Sequence, residues 1–277
     1  MSEDHNQAAL ERLVTEVLAS AKYGDVCPDL IRHIGTLETG KRKSFKEALK
    51  ATKNKLHQVS GAYRGRLEQY ASWLEEVRRA VREGDKEQLR AVNRHIMHHH
   101  ASTRERLPIL DQFYSSLMAD LAPIRSVLDI ACGLNPLAIP WMPLEQGARY
   151  YAYDIHQQML DFLKDYMKII GMEGETRAYD VTLESPQEEV DVALILKTLP
   201  CLEQVEKKAS LRLLREIRAK ILIVSFPVHS LGGRSKGMEE YYEGYFYKLI
   251  EKEQKQWKVS RFEFGTELAF VMKKEIL

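Results

Sequence analysis

The chain of 277 residues is long enough for one large domain or two modest ones, and its 44% hydrophobic and 29% charged content is ordinary for a globular protein. The formal net charge of +1 does not by itself indicate a nucleic-acid partner, and no apolar run is long enough to predict a membrane span. The acidic N-terminus is unlike a secretory signal, and three widely spaced cysteines predict reduced thiols in a cytoplasmic protein, without a disulfide or metal framework.

Apolar side chains recur at helical spacing through roughly the first 120 residues. The stretches are Leu10–Leu18, Leu30–Ile34, Ala48–Val59, Leu67–Val77 and Leu107–Leu117. Capping boxes at Ser44–Glu47 and Ser102–Glu105 predict the starts of two of these helices, and Pro28 is suited to the first turn of another. We therefore expect residues 1–100 to form an all-helical N-terminal domain.

After Pro123 the pattern changes to alternating strands and helices. Strands are predicted at Ser126–Ile130, Tyr150–Tyr153, Thr176–Tyr179, Val190–Leu196 and Ile221–Ser225. Helices are predicted at Met159–Met167 and Ala209–Ala219, and the tail predicts an antiparallel strand pair that turns at Gly265. This alternation indicates an α/β fold with a doubly wound parallel sheet that ends in a hairpin.

Three of the predicted strand ends carry residues suited to an adenosyl cofactor. Gly133 follows the first strand and lets the backbone approach a ligand, and Asp154 ends the second strand, where a carboxylate can accept both ribose hydroxyls. Asp180 ends the third strand, where its side chain can approach an adenine. Any one of these residues is commonly only part of a turn. Because the first loop lacks the spaced glycines of a dinucleotide site, the set favours an adenosyl cofactor without a pyrophosphate.

Four longer segments carry a resemblance to a known family. They are His100–Arg106, Leu128–Pro136, Leu196–Gln204 and Ser225–Arg234, the last continuing into Lys236–Met238. Together they resemble the aminoglycoside-resistance methyltransferases that modify N-7 of a guanine in the decoding site of 16S ribosomal RNA, and the resemblance covers nearly the whole chain. It implies a Rossmann-like class I methyltransferase domain over 101–277, an all-helical N-terminal RNA-binding domain over 1–100, S-adenosylmethionine as cofactor, the small ribosomal subunit as partner, and a monomer.

The resemblance also implies roles for individual residues. Arg106 would pair with the methionine carboxylate of the cofactor, and Ala131 and Gly133 would back the methionine moiety. Asp154 would bind the ribose and Asp180 would lie near the adenine. The other cofactor residues would be Ile155, Leu196, Lys197, Thr198 and Gln204. Beside the target guanine, the family pattern implies Arg234, Lys236 and Met238.

A run of basic residues precedes the predicted catalytic domain. Lys43, Lys46, Lys50 and Lys53 recur at helical spacing, and Arg64 and Arg66 follow. Such a run is commonly only a solvated helix face. On a domain appended to a methyltransferase core it predicts phosphate contacts that place the enzyme without reading sequence.

Methylation at guanine N-7 needs little help from side chains, because this nitrogen has an exposed lone pair and carries no proton at neutral pH. We therefore expect no general base and no metal, and a site that acts by orientation, which can supply roughly 7–11 kcal/mol. A buried N-7 would have to be reached by flipping the base. Four aromatic residues can stack on exposed bases or pack one side of a helix: Tyr241, Tyr242, Tyr245 and Phe246.

Two further signals are open to other interpretations. Cys201 follows a proline after the fourth strand, as the nucleophile of cytosine carbon-5 methyltransferases does, but the second motif expected of that class is missing. Residues His95, His98, His99 and His100 suggest a metal, although a solvated or RNA-facing cluster is the better interpretation. The remaining alternatives are methylation of another ribosomal base, such as an adenine ring nitrogen, and a catalytically silent RNA-binding ribosome factor.

Overall fold

Helices make up the described N-terminal part of the chain, as the apolar spacing predicts. The computed structural model describes residues 3–60, 69–121, 123–228, 237–252 and 257–274. The helices before the first strand are α1 (Glu3–Leu18), α2 (Pro28–Thr39), α3 (Phe45–Ser60), α4 (Tyr70–Glu83), α5 (Lys86–Met97), α6 (Ala101–Arg106) and α7 (Leu110–Met118). We call α1 to α3 the helical unit.

Local signals set several of the helix ends. Pro28 lies in the first turn of α2, and the backbone N–H of Glu47 donates to Ser44 Oγ at 3.3 Å, which confirms the serine cap of the first predicted capping box. The second capping-box prediction is wrong. The helix α6 begins at Ala101, before Ser102, and the hydroxyl of Thr103 instead donates to the carbonyl of Met97 at 2.6 Å.

The predicted strands come together in one twisted sheet. Its strands are β1 (Ile124–Ile130), β2 (Leu144–Asp154), β3 (Glu173–Ala178), β4 (Val190–Leu196), β5 (Ala219–Pro227), β6 (Trp257–Glu263) and β7 (Glu267–Lys274). The connecting helices are α8 (Gln157–Ile169), α9 (Leu199–Val205), α10 (Ala209–Glu216) and α11 (Met238–Glu251). Over the described residues the sheet has seven strands in the order β3-β2-β1-β4-β5-β7-β6. The first five strands in sequence pair in parallel, and β6 and β7 form the predicted antiparallel hairpin.

The buried apolar side chains of the described residues form three clusters, and the N-terminal helices are shared between two of them. One cluster lies within the helical unit, and another covers the sheet face packed by α10 and α11. The opposite sheet face forms one cluster with α4 and α5, in which Trp73 and Ile96 pack with Val127 and Tyr150. Apolar packing therefore joins α4 and α5 to the sheet, while a functional division at residue 100 stays a prediction. Among the described residues, no helix is long and apolar enough to cross a membrane.

Candidate functional site

A cleft lies where the parallel strands end. Because β1, β2, β3 and β4 run in one direction, the loops that follow them meet at one edge of the sheet. The space in the cleft, counted together with the solvent at its open mouth, is about 820 Å³. Seven of the ten residues predicted for the cofactor line it: Ala131, Asp154, Ile155, Asp180, Leu196, Lys197 and Thr198.

The carboxylate of Asp154 holds the loops after β1 and β2 together. It accepts hydrogen bonds from the backbone N–H groups of Gly133 at 2.9 Å, Ile155 at 2.7 Å and His156 at 3.2 Å. A carboxylate has about four acceptor positions, so these contacts from described residues leave room for a further donor. About one acceptor position is left for a ribose hydroxyl, whereas the sequence predicted that this carboxylate would accept both.

Backbone strain concentrates at the same edge. Ala131 has a φ of 52° and Lys197 a φ of 59°, a left-handed conformation that non-glycine residues rarely adopt. Such strain is common where a loop is shaped for a ligand. Gly133 has a φ of 51°, and a Cβ there would lie 2.5 Å from Cε1 of His100. The glycine is therefore required by its neighbour as well as by its conformation.

The interpretation of His95, His98, His99 and His100 as a solvated or RNA-facing cluster is wrong for His100. This residue is 7% exposed and packs under Gly133, and burial lowers its pKa to about 3, with His156 and Lys197 adding repulsion. The rings of His95 and His99 lie 5.4 Å apart near the surface. Over the ranges that the structure describes, no group of three or more His, Cys, Asp or Glu side chains is arranged to hold a metal ion.

Arg106 lies beneath the cleft in a buried polar network. Its guanidinium donates from Nε to Glu267 Oε2 at 3.0 Å, from Nη2 to Glu267 Oε1 at 2.8 Å, and from Nη1 to Asn135 Oδ1 at 2.8 Å. Ser225 donates to the same Glu267 carboxylate at 2.5 Å. Arg106 is 1% exposed and is not among the residues that line the cleft. Its predicted contact with the methionine carboxylate therefore stays a prediction.

Burial and neighbouring charges shift the pKa values of the carboxyl groups in this network. Burial opposes the charged form of Glu267, but Arg106 and Lys197 outweigh burial and lower the pKa of this carboxyl. Asp129 accepts hydrogen bonds from Tyr150 at 2.6 Å and from Asn135 at 2.8 Å, and Arg106 also favours its charged form. Burial dominates there and raises the pKa of Asp129 to about 6.

Lys197 lines the cleft and also lies close to Glu267 of the buried network. Its ammonium donates to the carbonyl of Ser102 and to Glu105 Oε2, both at 2.8 Å, and lies 3.6 Å from Glu267. Gly133 and Gln204, like Arg106, are not among the cleft-lining residues. Gln204 lies on α9, where its backbone carbonyl accepts a hydrogen bond from Lys55 of α3 at 2.8 Å.

Sequence reasoning missed the contribution of the helical unit to this cleft. Leu30 of α2 and Val59 of α3 line it, and His33 of α2 contacts Asp180 at 3.1 Å. Glu267 was also missed, although it is the main partner of Arg106. A single histidine or glutamate inside an amphipathic element gives no sequence signal of its own, so only the fold reveals these neighbours.

The predicted RNA-facing residues fall into two groups. Arg64, Arg66, Arg234 and Lys236 lie outside the described residues, whereas Met238 begins α11. Among the aromatic residues of α11, Tyr242 stacks on Phe226 at 5.0 Å and Phe246 stacks on Phe270 at 4.0 Å. The packing interpretation therefore holds for these two residues. Tyr241 remains 64% exposed.

The predicted basic stripe lies on the helical unit. Lys43, Lys46 and Lys50 are exposed and Lys53 is half-buried. Lys43 and Lys50 line an open groove together with Lys41 and Arg42. Glu38 pairs with Arg42 at 3.1 Å and with Lys41 at 3.6 Å, so part of the positive charge of the groove is offset within the helical unit.

The sheet order, its antiparallel β7 and the cleft at the ends of β1 to β4 define a Rossmann-like methyltransferase. Residues 19–271 match the model of the FmrO ribosomal RNA methyltransferases, and the chain belongs to that family.

Individual proteins and solved structures are similar to nearly the whole chain. A protein of Serratia marcescens named 16S rRNA (guanine(1405)-N(7))-methyltransferase is 37% identical, with 94% of this chain and 97% of the relative aligned. A Micromonospora echinospora protein of the same name is 34% identical over 96% of this chain and 97% of its own length. The solved structure of the 16S rRNA methyltransferase RmtF in complex with S-adenosyl-L-homocysteine is 33% identical with a TM-score of 0.80, covering 99% of both chains. The 16S rRNA methylase RmtB is 32% identical with a TM-score of 0.76, covering 96% of this chain and 98% of that one.

Proposed function

We infer that this chain transfers a methyl group from S-adenosylmethionine to N-7 of a decoding-site guanine in 16S ribosomal RNA. The observation that carries this inference is the near full-length similarity to relatives named for that reaction, at 34% to 37% identity. The substrate would be the assembled small ribosomal subunit, which the enzyme would meet in the cytoplasm as a monomer. The product would protect the ribosome against aminoglycosides.

The residues of the cleft fit an adenosyl cofactor. Asp154 has an acceptor position for a ribose hydroxyl, Asp180 lies two residues beyond the neighbouring strand β3, and Ala131 leaves the first loop without a bulky side chain. Leu196, Lys197 and Thr198 would form the floor, with Ile155 beside the ribose and Gly133 holding the shape of the loop. When bound, S-adenosylmethionine supplies an electrophilic methyl group on a sulfonium sulfur.

The protein's own contribution is orientation. Guanine N-7 is unprotonated at neutral pH, so no side chain has to remove a proton. The strained backbone at Ala131 and Lys197 and the hydrogen bonds of Asp154 fix the loops in one arrangement. Holding reacting groups in line can supply roughly 7–11 kcal/mol.

The RNA-docking surface would be the basic stripe of the helical unit, Lys43, Lys46, Lys50 and Lys53, continued by Arg64 and Arg66. Electrostatic contacts of this kind place an enzyme on phosphates. Near the cleft, Arg234, Lys236 and Met238 would meet the target guanine. Tyr241, exposed on the first turn of α11, supports stacking on a neighbouring or flipped base.

The inference is tested by transfer of labelled methyl groups to purified small subunits. Unmodified subunits should accept label, and subunits already methylated by the Serratia relative should accept none, because the same atom is blocked. Equal labelling of both preparations would show that another atom or base is modified. Cofactor binding without transfer to either preparation would favour the silent RNA-binding factor.

A further inference from the structure

We propose that His33 is a positioning residue for the cofactor: carried on α2 of the helical unit, it sets the orientation in which the Asp180 carboxylate accepts a hydrogen bond from the adenine amino group. Recognition of adenine would then depend on a residue outside the Rossmann-like core. The proposal deepens the proposed function and rests on it only for the identity of the cofactor.

Thr182 and His33 hold the carboxylate of Asp180 through hydrogen bonds to both of its oxygens. Thr182 donates to Asp180 Oδ1 from its backbone N–H at 2.9 Å and from its hydroxyl at 2.5 Å. The Nδ1 atom of His33 lies 3.1 Å from Asp180 Oδ2 and 3.1 Å from the Thr182 hydroxyl. The side chain of Asp180 is 3% exposed and that of His33 10%, so water competes little for these hydrogen bonds.

This arrangement leaves a defined place for a ligand. A carboxylate oxygen has two acceptor positions, and Thr182 occupies both positions of Oδ1. His33 occupies one position of Oδ2, so within the described residues a single acceptor position of Asp180 remains. An amino group, which donates, fits that position. A carbonyl oxygen, which only accepts, would face the negative carboxylate.

The helical unit is also hydrogen-bonded to the segment between β2 and α8. The backbone N–H of Cys27 donates to the carbonyl of Ile155 at 2.7 Å, and that of Gln157 donates to the carbonyl of Asp25 at 2.8 Å. The side chain of Asp25 lies 3.2 Å from Nδ1 of His156. These contacts fix the position of α2, and therefore of His33, relative to the residues that follow Asp154, the predicted ribose contact.

The test compares binding of S-adenosylhomocysteine and S-inosylhomocysteine, in which a carbonyl replaces the adenine amino group. Calorimetry gives the affinity ratio of the two ligands for the full-length chain and its variants. His33→Leu keeps a similar volume and a helix-forming residue but removes the donor, whereas His33→Asn keeps a donor near the Nδ1 position. Lys55→Ala is the matched control, because it removes a contact between the helical unit and the core, to Gln204, without touching Asp180.

We expect the wild type to prefer the adenosyl ligand, and His33→Leu to reduce the preference by about tenfold, since a hydrogen bond to a charged group is worth about that factor or more. His33→Asn should restore most of it, and Lys55→Ala should leave it unchanged. If His33→Leu does not fold, as judged by circular dichroism, His33→Met replaces it, because methionine also lacks a donor and should reduce the preference equally.

An unchanged ratio in the Leu variant, or an equal loss in Lys55→Ala, would overturn the role of His33. Because the measurement needs no RNA, failure of methyl transfer to subunits would overturn the proposed function and leave this result standing.

Discussion

Asp129 is a buried carboxyl whose protonation should make the free energy of unfolding depend on pH. Burial raises its pKa from 3.8 to about 6, so between these values the folded chain holds a proton that the unfolded chain releases. The stabilisation is complete below pH 4 and is lost as the pH rises through 6. Two pKa units correspond to at most about 3 kcal/mol.

Asp129→Asn removes this titration. The free energy of unfolding of the wild type, minus that of the variant, should therefore fall by up to about 3 kcal/mol between pH 4 and pH 7. Urea unfolding across that range measures the difference, in which the other titrating groups cancel. A difference that stays constant with pH would show that Asp129 titrates normally.

Gly133→Ala tests the close contact beneath the first loop. The added Cβ would meet the buried ring of His100 at 2.5 Å, and the φ of 51° is unfavourable for alanine. We expect a loss of about 1–3 kcal/mol in stability and weaker S-adenosylhomocysteine binding.

Gly244→Ala is the matched control for this substitution. Gly244 lies inside α11, where an added Cβ meets no described atom within 4 Å, so this variant should be stabilised by about 0.5–1 kcal/mol. Thermal unfolding and calorimetry compare the two. Normal ligand affinity in Gly133→Ala would contradict the account of the loop.

Cys201→Ala separates N-7 methylation from the cytosine carbon-5 alternative. The thiol lines the cleft and lies 3.8 Å from the carbonyl of Lys197. Attack by N-7 needs no nucleophile from the protein, so methyl transfer by the variant should equal that of the wild type. Abolished transfer by a folded variant would favour a covalent mechanism at cytosine.

At the residue scale, the sequence was informative where a residue's position in a strand determines its neighbours. Asp154 and Asp180 were predicted from the ends of their strands, and both line the cleft. Glu267 and His33 were not predicted, because their partners, Arg106 and Asp180, are distant in the chain and meet them only through tertiary packing.

Among the elements, α3 carries the most direct prediction. Lys46 and Lys50 are exposed one turn apart, and neither forms an ion pair with a described residue. Lys46→Glu with Lys50→Glu should weaken binding of small subunits and reduce the slope of log affinity against log salt by about 2, roughly one unit per lost phosphate contact. Affinity for S-adenosylhomocysteine should not change.

A matched control is available on α8, where Lys164 and Lys168 have the same spacing and are also exposed. Reversing these two lysines changes the net charge equally at another place. If both double variants lose the same affinity for subunits, net charge rather than the stripe on α3 governs docking.

Element types were predictable because the apolar periods differ between helix and strand, and the doubly wound parallel sheet with its closing hairpin followed from their alternation. The order of the strands within the sheet was not predicted. Boundaries were less predictable. The helix expected to start at Ser102 starts at Ala101 and gives way to a short 3₁₀ turn at Leu107–Ile109, where Pro108 cannot donate a helical hydrogen bond. The cap at Ser44 was correct because its partner is only three residues away.

For the whole molecule, the main feature is that one helix joins the basic stripe proposed for RNA docking to the cleft proposed for the cofactor. α3 carries Lys46 near its start and contributes Val59 to the cleft near its end, about 20 Å farther along the helix axis. The sequence could not predict this, nor that α4 and α5 pack with the sheet, because an apolar face does not identify the surface that covers it.

Methylation at guanine N-7 can be tested by mapping the methylated position on small subunits with borohydride–aniline cleavage, after incubation with the chain and S-adenosylmethionine. We expect cleavage at one guanine of the decoding site, because this chemistry breaks the RNA chain at N-7-methylguanine. Methyl groups incorporated without any cleavage would contradict it, and would transfer the reaction to another atom or base.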